Sequence, residues 1–518
     1  MTTQAFIDLC NDPYGEAMVV DFVVQLWHPT TNQIIEMKDF YNVVNVSVIS
    51  REREKSSGVM QAQSYQIQMA RKPRSAGFHP QNPFLDPAYY KDALCEINAS
   101  FPAAGEQETI VTGVVYKSST STSGVFTLEL RDTTAAMLGF KIPRDINYQS
   151  TGWLSDMQVS SKEPSSGGWS SVVALTNNTP SALIDETFTV TFTSPTGFNV
   201  VGDTYTTPQA GTTVSNKNVD NTAGTGVITI PSAGWVGPYS SGDVFVFYTA
   251  KARTATERTP VQAVMDLINL YIPFILAISA DGFPHIFGSP IDDQANWDAA
   301  VASTSGAEIG GFWKRGTSVS KMIQDALKVV HGAIYSTEIG SVALWILEPY
   351  TGDRIELNGD PESGNVNIIE SVIDDDYSER ISSVTFEYLD LEGNAASVSA
   401  VDSASTLEFE KEQTVKIGWR VRGLTMESAA NIHLNRFKDG RREYITKTNL
   451  AGILARVDEG VYITEPILGL TLEASDVTKV SMDLLNNTTT IKAHVDPVSI
   501  EAYAIVGTST IGGAEVVW

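Results

Sequence analysis

Thr187-Phe188-Thr189-Val190-Thr191-Phe192-Thr193 changes polarity at every residue. A strand turns successive side chains to opposite faces, so this period of two predicts a strand with Phe188, Val190 and Phe192 buried and the threonines outside. The same period recurs along the chain. Val44, Val46 and Val48 alternate with Asn45 and Ser47, and Val384, Phe386 and Tyr388 alternate with Thr385 and Glu387. Further on, Val480, Met482 and Leu484 lead into Asn486-Asn487, and Ile491, Ala493 and Val495 follow, which reads as a hairpin.

Helices are expected to be few and short. Thr259 caps one, with Pro260 at its first position and Val261, Val264, Met265 and Ile268 on one face. Val319, Met322, Ile323, Ala326, Leu327 and Val330 form the stripe of a second, opened by Thr317 or Ser318 and ended near Gly332. Thr425 is the expected cap of a third, whose Met426, Ala430, Leu434 and Phe437 share a face and which Gly440 closes. With 518 residues the chain exceeds what one core holds, roughly 250–300 residues. The fold class that follows is mostly β with some α+β, in several domains.

Between Thr151 and Thr256 the composition shifts. That window has seven acidic and four basic residues and is rich in Ser, Thr, Gly and Asn. Strands at Asp185 to Thr193, Gly226 to Ile230 and Asp243 to Ala250 predict a separate β-sandwich-like module, with Ser165-Ser166-Gly167-Gly168 as a flexible entry. Trp153, Trp169, Trp235, Tyr205, Tyr239 and Tyr248 fall within it. Packing in the sandwich core is the favoured reading of these rings over faces offered to sugars. Trp235, Pro238 and Tyr239 lie between strands and are expected to be the exposed ones; Trp235, Tyr239 and Trp169 are the candidate contacts for a glycan or partner.

The charge balance, 35 − 61 = −26, argues against a surface that grips phosphate backbones, which needs clustered Lys and Arg. Cys10 and Cys95 are too few for a disulfide framework and read as small apolar residues of a reducing compartment. The first residues lack a basic signal-peptide region, and no apolar run approaches the ~18 residues that span a bilayer, so neither export signal nor anchor is expected.

Enzyme signatures are missing: the chain has no Gly-Lys of a phosphate loop, no His-Glu of a zinc helix and no Gly-x-Ser-x-Gly elbow. His28, His79, His285, His331, His433 and His494 are scattered without ligand spacing and read as surface or satisfied core residues. Asp374-Asp375-Asp376 has the carboxylates that suit calcium but not the Gly and Glu of an EF-hand loop; a solvated turn ahead of a strand at Ile381 is expected. Adjacent carboxylates such as Asp185 and Glu186 arise by chance in so acidic a chain and give no glycosidase signal. No catalytic residue, cofactor or metal is assigned.

Several stretches together resemble the tail-tip, or baseplate, hub proteins of tailed bacteriophages. The strands through Val44 to Ile49, the Asn82-Pro83-Phe84 link, Gly113-Val114-Val115 and Phe126 to Asp132 with a turn to Leu138 are similar to a first hub barrel. The helix from Thr259, the segment Ser318 to Val330 and Ala343-Leu344-Trp345-Ile346 are similar to the α+β region that follows. Ile381 to Tyr388, the helix from Thr425 and the strands Gly460 to Thr464 and Lys479 to Lys492 are similar to a second barrel with a helical insertion. On this reading residues 1–150 are the first barrel, 151–256 the inserted module, 257–355 the α+β domain and 356–518 the second barrel, with its insertion at about 424–440.

The resemblance implies a homotrimer at the virion tail tip, assembled in the bacterial cytoplasm. Its two barrels per subunit would make a pseudo-sixfold ring that contacts distal tail or tail-tube proteins and tail fibres or receptor-binding proteins. Its lumen would hold the tape-measure protein and pass DNA only in transit. The module would lie at the periphery, against fibres, neighbours or a host surface glycan. A distal tail or adaptor ring and a secreted carbohydrate-binding adhesin are the alternatives; a fused glycan-cleaving activity finds no catalytic constellation.

Overall fold

The computed structural model describes residues 4–11, 18–27, 34–36, 41–52, 64–71, 94–120, 125–132, 140–142, 144–160, 167–221, 224–271, 294–337, 341–346, 354–363, 366–376, 380–408, 410–438, 441–457 and 459–494. The fold is multi-domain and mostly β. Six α-helices occur among these residues: α1 (Gln4–Asn11), α2 (Pro260–Tyr271), α3 (Gln294–Ser303), α4 (Val319–Val329), α5 (Ser403–Glu408) and α6 (Gly423–Phe437).

Two seven-stranded sheets come from opposite ends of the chain. In the first the order is Ile34–Glu36, Val19–Trp27, Leu94–Phe101, Glu106–Thr120, Val125–Arg131, Ser64–Arg71 and Tyr41–Val46, all neighbours antiparallel. In the second it is Ile355–Asn358, Gly460–Glu465, Leu470–Asp483, Thr488–His494, Arg441–Thr448 and Ile368–Asp376, with Ile49–Glu52 paired to Leu470–Asp483. Only the outermost pair, Ile355–Asn358 with Gly460–Glu465, runs parallel. The second sheet curls until its two ends meet: the Asn367 N–H donates to the Asn358 carbonyl at 2.9 Å, and the Asn358 N–H to Asn367 Oδ1 at 2.8 Å.

Residues 41–52 stitch the sheets together. The chain leaves the first sheet at Val46 and enters the second at Ile49, and Ser47 holds the corner by bonds from its N–H to the Gln66 carbonyl (2.9 Å) and from the Gln66 N–H to its hydroxyl (2.8 Å). One core fills the space between them. Ile67, Met69, Ile97, Phe126 and Leu128 meet Leu357, Val461, Ile463, Val480 and Ile491, and Phe6 and Cys10 of α1 join them. Burial pushes the Cys10 thiol up to about 12 and the Cys95 thiol higher, so both are unreactive apolar residues as expected.

Val44, Val46 and Val48 do not share a buried face. Val46 is buried, but Val44 and Val48 are 51% and 53% exposed. The register slips between Val43 and Asn45, so Val43 and Val46 face the core and Val44 between them does not, while Val48 lies in the corner where the chain passes to the second sheet.

A second core packs α2, α4 and α6 against a mixed sheet ordered Ile309–Gly310, Glu412–Val421, Ser383–Leu389 and Ala395–Val401. Val261, Val264 and Ile268 of α2 meet Met322, Ile323 and Leu327 of α4, and Val384, Phe386 and Trp419 close the sheet side. Thr259 caps α2 as expected, its hydroxyl accepting the Gln262 N–H at 3.2 Å. Helix α4 begins after Ser318, as expected. Helix α6 starts two residues ahead of the expected cap, with Arg422 rather than Thr425 at its N-cap, and Gly440 lies outside the described residues.

Helices α1, α3 and α5 were not anticipated. Helix α3 has almost no apolar stripe, since besides its alanines only Trp297 and Val301 are apolar, and the alanines give helix propensity without a face. Asp374 to Asp376 end the strand Ile368–Asp376, opposite Arg441 to Glu443, where a turn was expected. The expected link at Asn82-Pro83-Phe84, the turn to Leu138 and Val495 lie outside the described residues.

Candidate functional site

The low-charge stretch closes on itself. Its entry strand Trp153–Leu154 pairs antiparallel with its exit strand Val244–Ala250, placing Trp153 opposite Ala250. Between them, a six-stranded sheet built on Glu186–Phe192, Gly197–Gly202 and Val244–Ala250 faces the smaller sheet of Thr176–Asn177, Gly224–Ile230 and Lys217–Asn221. Phe188, Val190 and Phe192 fill the core between them, as the alternation from Thr187 predicts. Among the described residues this core is the stretch's own, made from residues between Leu154 and Phe247.

One end of the sandwich is an aromatic knot. Phe192 stacks on Tyr239 at 4.1 Å between centroids, and Trp235 meets Trp169 edge-on at 4.8 Å. Tyr239 is 3% exposed, against expectation. Its hydroxyl donates to the Gly168 carbonyl at 2.6 Å and accepts the Val236 N–H at 2.7 Å, and burial raises its pKa. Trp235 and Trp169 are half-buried, and Trp169 Nε1 donates to the Val173 carbonyl at 2.8 Å. Core packing therefore accounts for these rings, whereas Pro238 and Val236 form the exposed rim. Gly167 serves close packing here, because a Cβ placed on it would sit 2.4 Å from the Tyr239 ring. Trp153 turns away from the sandwich and packs on Phe312, ring centroids 4.3 Å apart and planes tilted by 47°.

Beside that contact lies the mount. Arg253, 9% exposed, donates from its guanidinium to Asp185 Oδ2 at 2.9 Å, lies 3.7 Å from Asp266 Oδ2, and donates from Nε to the Asn147 carbonyl at 3.4 Å. The Tyr148 hydroxyl donates to Asp266 Oδ2 at 2.9 Å, and Asn147 Nδ2 donates to the carbonyls of Thr151 (2.8 Å) and Lys251 (3.3 Å). Asp185 belongs to the module and Asp266 to α2, so one buried arginine holds both bodies. A guanidinium suits this because its fork of donors engages separate acceptors at fixed angles. The mount was missed in the sequence; its trace was the pairing of Lys251 and Arg253, two of the four basic residues in the low-charge stretch, at its exit.

Glu257 seals the outer side of the mount. Burial opposes its charge, but bonds from Lys251 Nζ (2.6 Å) and from the Thr254 N–H (2.9 Å) and hydroxyl (3.0 Å) prevail and pull its carboxyl from 4.5 down to about 2. A depressed folded-state pKa contributes stability that is complete above the unfolded value and is lost as pH falls toward the folded one. The stability gap between the native chain and Glu257→Gln is expected to shrink between pH 4.5 and about 2. Urea midpoints across that window test it; a gap that stays constant would refute the assignment.

Asp185 and Glu186 diverge rather than pair. Asp185 engages Arg253, and Glu186 is fully buried, its Oε1 accepting the N–H groups of Thr204 (2.6 Å) and Tyr205 (3.1 Å). Two histidines far apart in sequence come together: the rings of His331 and His433 stack at 5.6 Å, and His331 Nε2 donates to the Ala429 carbonyl at 2.9 Å. They belong to the core beside Phe386 and Phe437. Among the described residues no group of three or more His, Cys, Asp or Glu is placed to hold a metal ion, and no helix is long and apolar enough to cross a membrane.

No protein-family model matches the sequence, and no curated protein is similar to it in sequence. In structure the chain is similar to a tail protein from Neisseria meningitidis MC58, at 10% identity and a TM-score of 0.45, covering 92% of this chain and 97% of that one. It is also similar to the 43 kDa tail protein of prophage MuSo2 from Shewanella oneidensis, at 11% identity and a TM-score of 0.42, over 92% of this chain and 98% of that one. A prophage tail protein from Listeria monocytogenes EGD-e is similar at 9% identity and a TM-score of 0.37, over 92% and 95% of the two chains.

Proposed function

We propose that this chain is a structural protein of a bacteriophage tail, acting as the hub at the tail tip. Three copies form a ring below the tail tube that anchors fibres and gates the passage of the tape-measure protein and then DNA. The observation that carries the reading is the pair of seven-stranded sheets, one from each end of the chain, packed on one core and stitched by residues 41–52. Such a pair supports the two-barrel layout that the sequence resemblance implies. The net charge of −26 supports a conduit, since an acidic wall repels the phosphate backbone and lets DNA slide.

In this reading residues 1–150 and 356–518 make the ring, residues 257–355 brace it, and the module at 151–256 hangs outside on its mount. Its exposed rim at Val236 and Pro238, backed by Trp235, Trp169 and Tyr239, faces fibres, neighbouring proteins or a host surface glycan. The chain performs no catalytic step. Negative-stain class averages of the purified protein test the proposal: threefold rings with a central hole support it, while sixfold rings of identical subunits would indicate a distal tail ring, and particles without any ring would discard it.

A further inference from the structure

The chain carries 61 acidic residues against 35 basic ones, so a cation on its surface usually has a carboxylate within reach. Lys117, Arg258, Arg354 and Lys479 each find one. One ridge departs from this. Residues 140–147 and 312–321 run antiparallel, with Phe312 opposite Asn147, Trp313 opposite Ile146 and Lys141 opposite Ser318. The Val319 N–H donates to the Phe140 carbonyl at 2.9 Å, which carries the pairing into the first turn of α4. Together the two segments hold five basic residues, Lys141, Arg144, Lys314, Arg315 and Lys321, and one acid, Asp145. Asp145 Oδ1 is taken up by the Arg315 backbone N–H at 2.6 Å. Lys141, Lys314, Arg315 and Lys321 are exposed and Arg144 is half-buried; among the described residues none of the five forms an ion pair. Such a ridge is complementary to an acidic surface that the single chain does not bring to it.

A surface of the opposite kind lies where the second sheet closes. Glu356, Glu362, Glu370 and Asp374 are exposed there, and among the described residues none of them forms an ion pair. The register slips between Ile368 and Glu370, so Ile369 and Glu370 both reach the outside, and Val372 and Asp374 continue that face along the strand. Ile369, Val372 and Val366 are 57%, 46% and 43% exposed. An exposed apolar strip rimmed by charge is the anatomy of a protein contact.

We propose that the basic ridge of one copy docks on the acidic strip of the next copy in the ring, an inference that rests on the hub reading. In a closed ring of three each pairwise contact is head to tail and joins two different surfaces, so ridge and strip must be separate places on one chain. Lysine and arginine fit the strip in both its parts. Their alkyl stems cover Ile369 and Val372, while their heads reach the carboxylates of Glu370 and Asp374. The contact also offsets the repulsion among three copies that each carry a charge of −26, because it sets unlike patches together at every joint.

Size exclusion with light scattering of the full chain, over a range of concentrations, tests the docking. The native protein should give three times 56.1 kDa; any other native state would end the hub reading and this docking with it. K314E/R315E sets glutamates against the acidic strip, and E370K/D374K sets lysines against the basic ridge. Each should raise the concentration of half-association about tenfold or more. The four substitutions together restore opposite charges with their signs exchanged and should bring the trimer back, which a chain that had lost its fold could not do. A native trimer whose double variants associate as well as it does, or a fourfold variant that stays dissociated, would overturn the docking and leave the hub reading standing.

Discussion

Arg253→Ala is expected to destabilise the chain by about 3–5 kcal/mol, the usual cost of removing one partner from a buried charge cluster. The side chain of Arg253 is 8% exposed, and those of Asp185 and Asp266 are 28% and 24% exposed. Without the guanidinium the two carboxylates face one depleted site, and the Asn147 carbonyl loses a donor as well. The loss falls on the joint between the bodies, because the sandwich has its own core. Urea unfolding and limited proteolysis should therefore show a lower midpoint together with new cleavage near residues 251–258, while the sandwich survives as a resistant fragment. Arg253→Lys keeps the charge but not the fork, so an intermediate loss is expected. An alanine variant with the native midpoint and no new cleavage would mean that Trp153 on Phe312 alone holds the module.

Trp419→Ala should cost about 3–5 kcal/mol through the second core, as large-to-small changes of buried aromatic residues do. Trp419 is completely buried, donates from Nε1 to the Met322 carbonyl at 2.8 Å, and meets Tyr148 and Trp313 edge-on at 5.2 and 5.0 Å. Tyr148 is also the residue whose hydroxyl holds Asp266. A cavity at Trp419 therefore loosens the support of the mount from behind, and the losses from Trp419→Ala and Arg253→Ala should not simply add. Trp419→Phe retains most of the volume and should cost about 1–2 kcal/mol, chiefly the missing indole bond. Denaturant midpoints of the single and double variants decide this; strict additivity would break the proposed link from core to mount.

His331 illustrates how tertiary contacts settle a position that local rules leave open. It follows the end of α4 with φ at 50°, in the left-handed region where glycine or asparagine usually closes a helix. The bond to Ala429 and the stack on His433 hold it there. From the sequence, Gly332 marked the end of that helix, and the Gly332 N–H does bond to the Leu327 carbonyl at 2.9 Å. The residue that bends is nevertheless the histidine before it.

What could be read from the sequence was local. Alternation predicted the strands at Phe188, Phe386 and Val480, and caps and stripes placed α2 and α4, because each signal lies within a few residues of the element it specifies. Helices without a stripe, such as α3, left no such signal. The register slip at Val43 turned Val44 to the surface and the corner between the sheets left Val48 there, since a bulge or a corner depends on what the partner strands require and not on the alternating residues themselves. Tyr239 lies between strands in sequence yet is buried, because Gly167 removes the side chain that would bar its ring. The union of Ile49–Glu52 with Leu470–Asp483, the meeting of Arg253 with Asp185 and Asp266, and the stacking of His331 on His433 each join residues from tens to hundreds of positions apart. The sequence by itself determined the strands with clean alternation and the helices with caps and stripes; only the tertiary structure decided which segments share a core and where charge is buried, because those choices rest on long-range packing that no local pattern encodes.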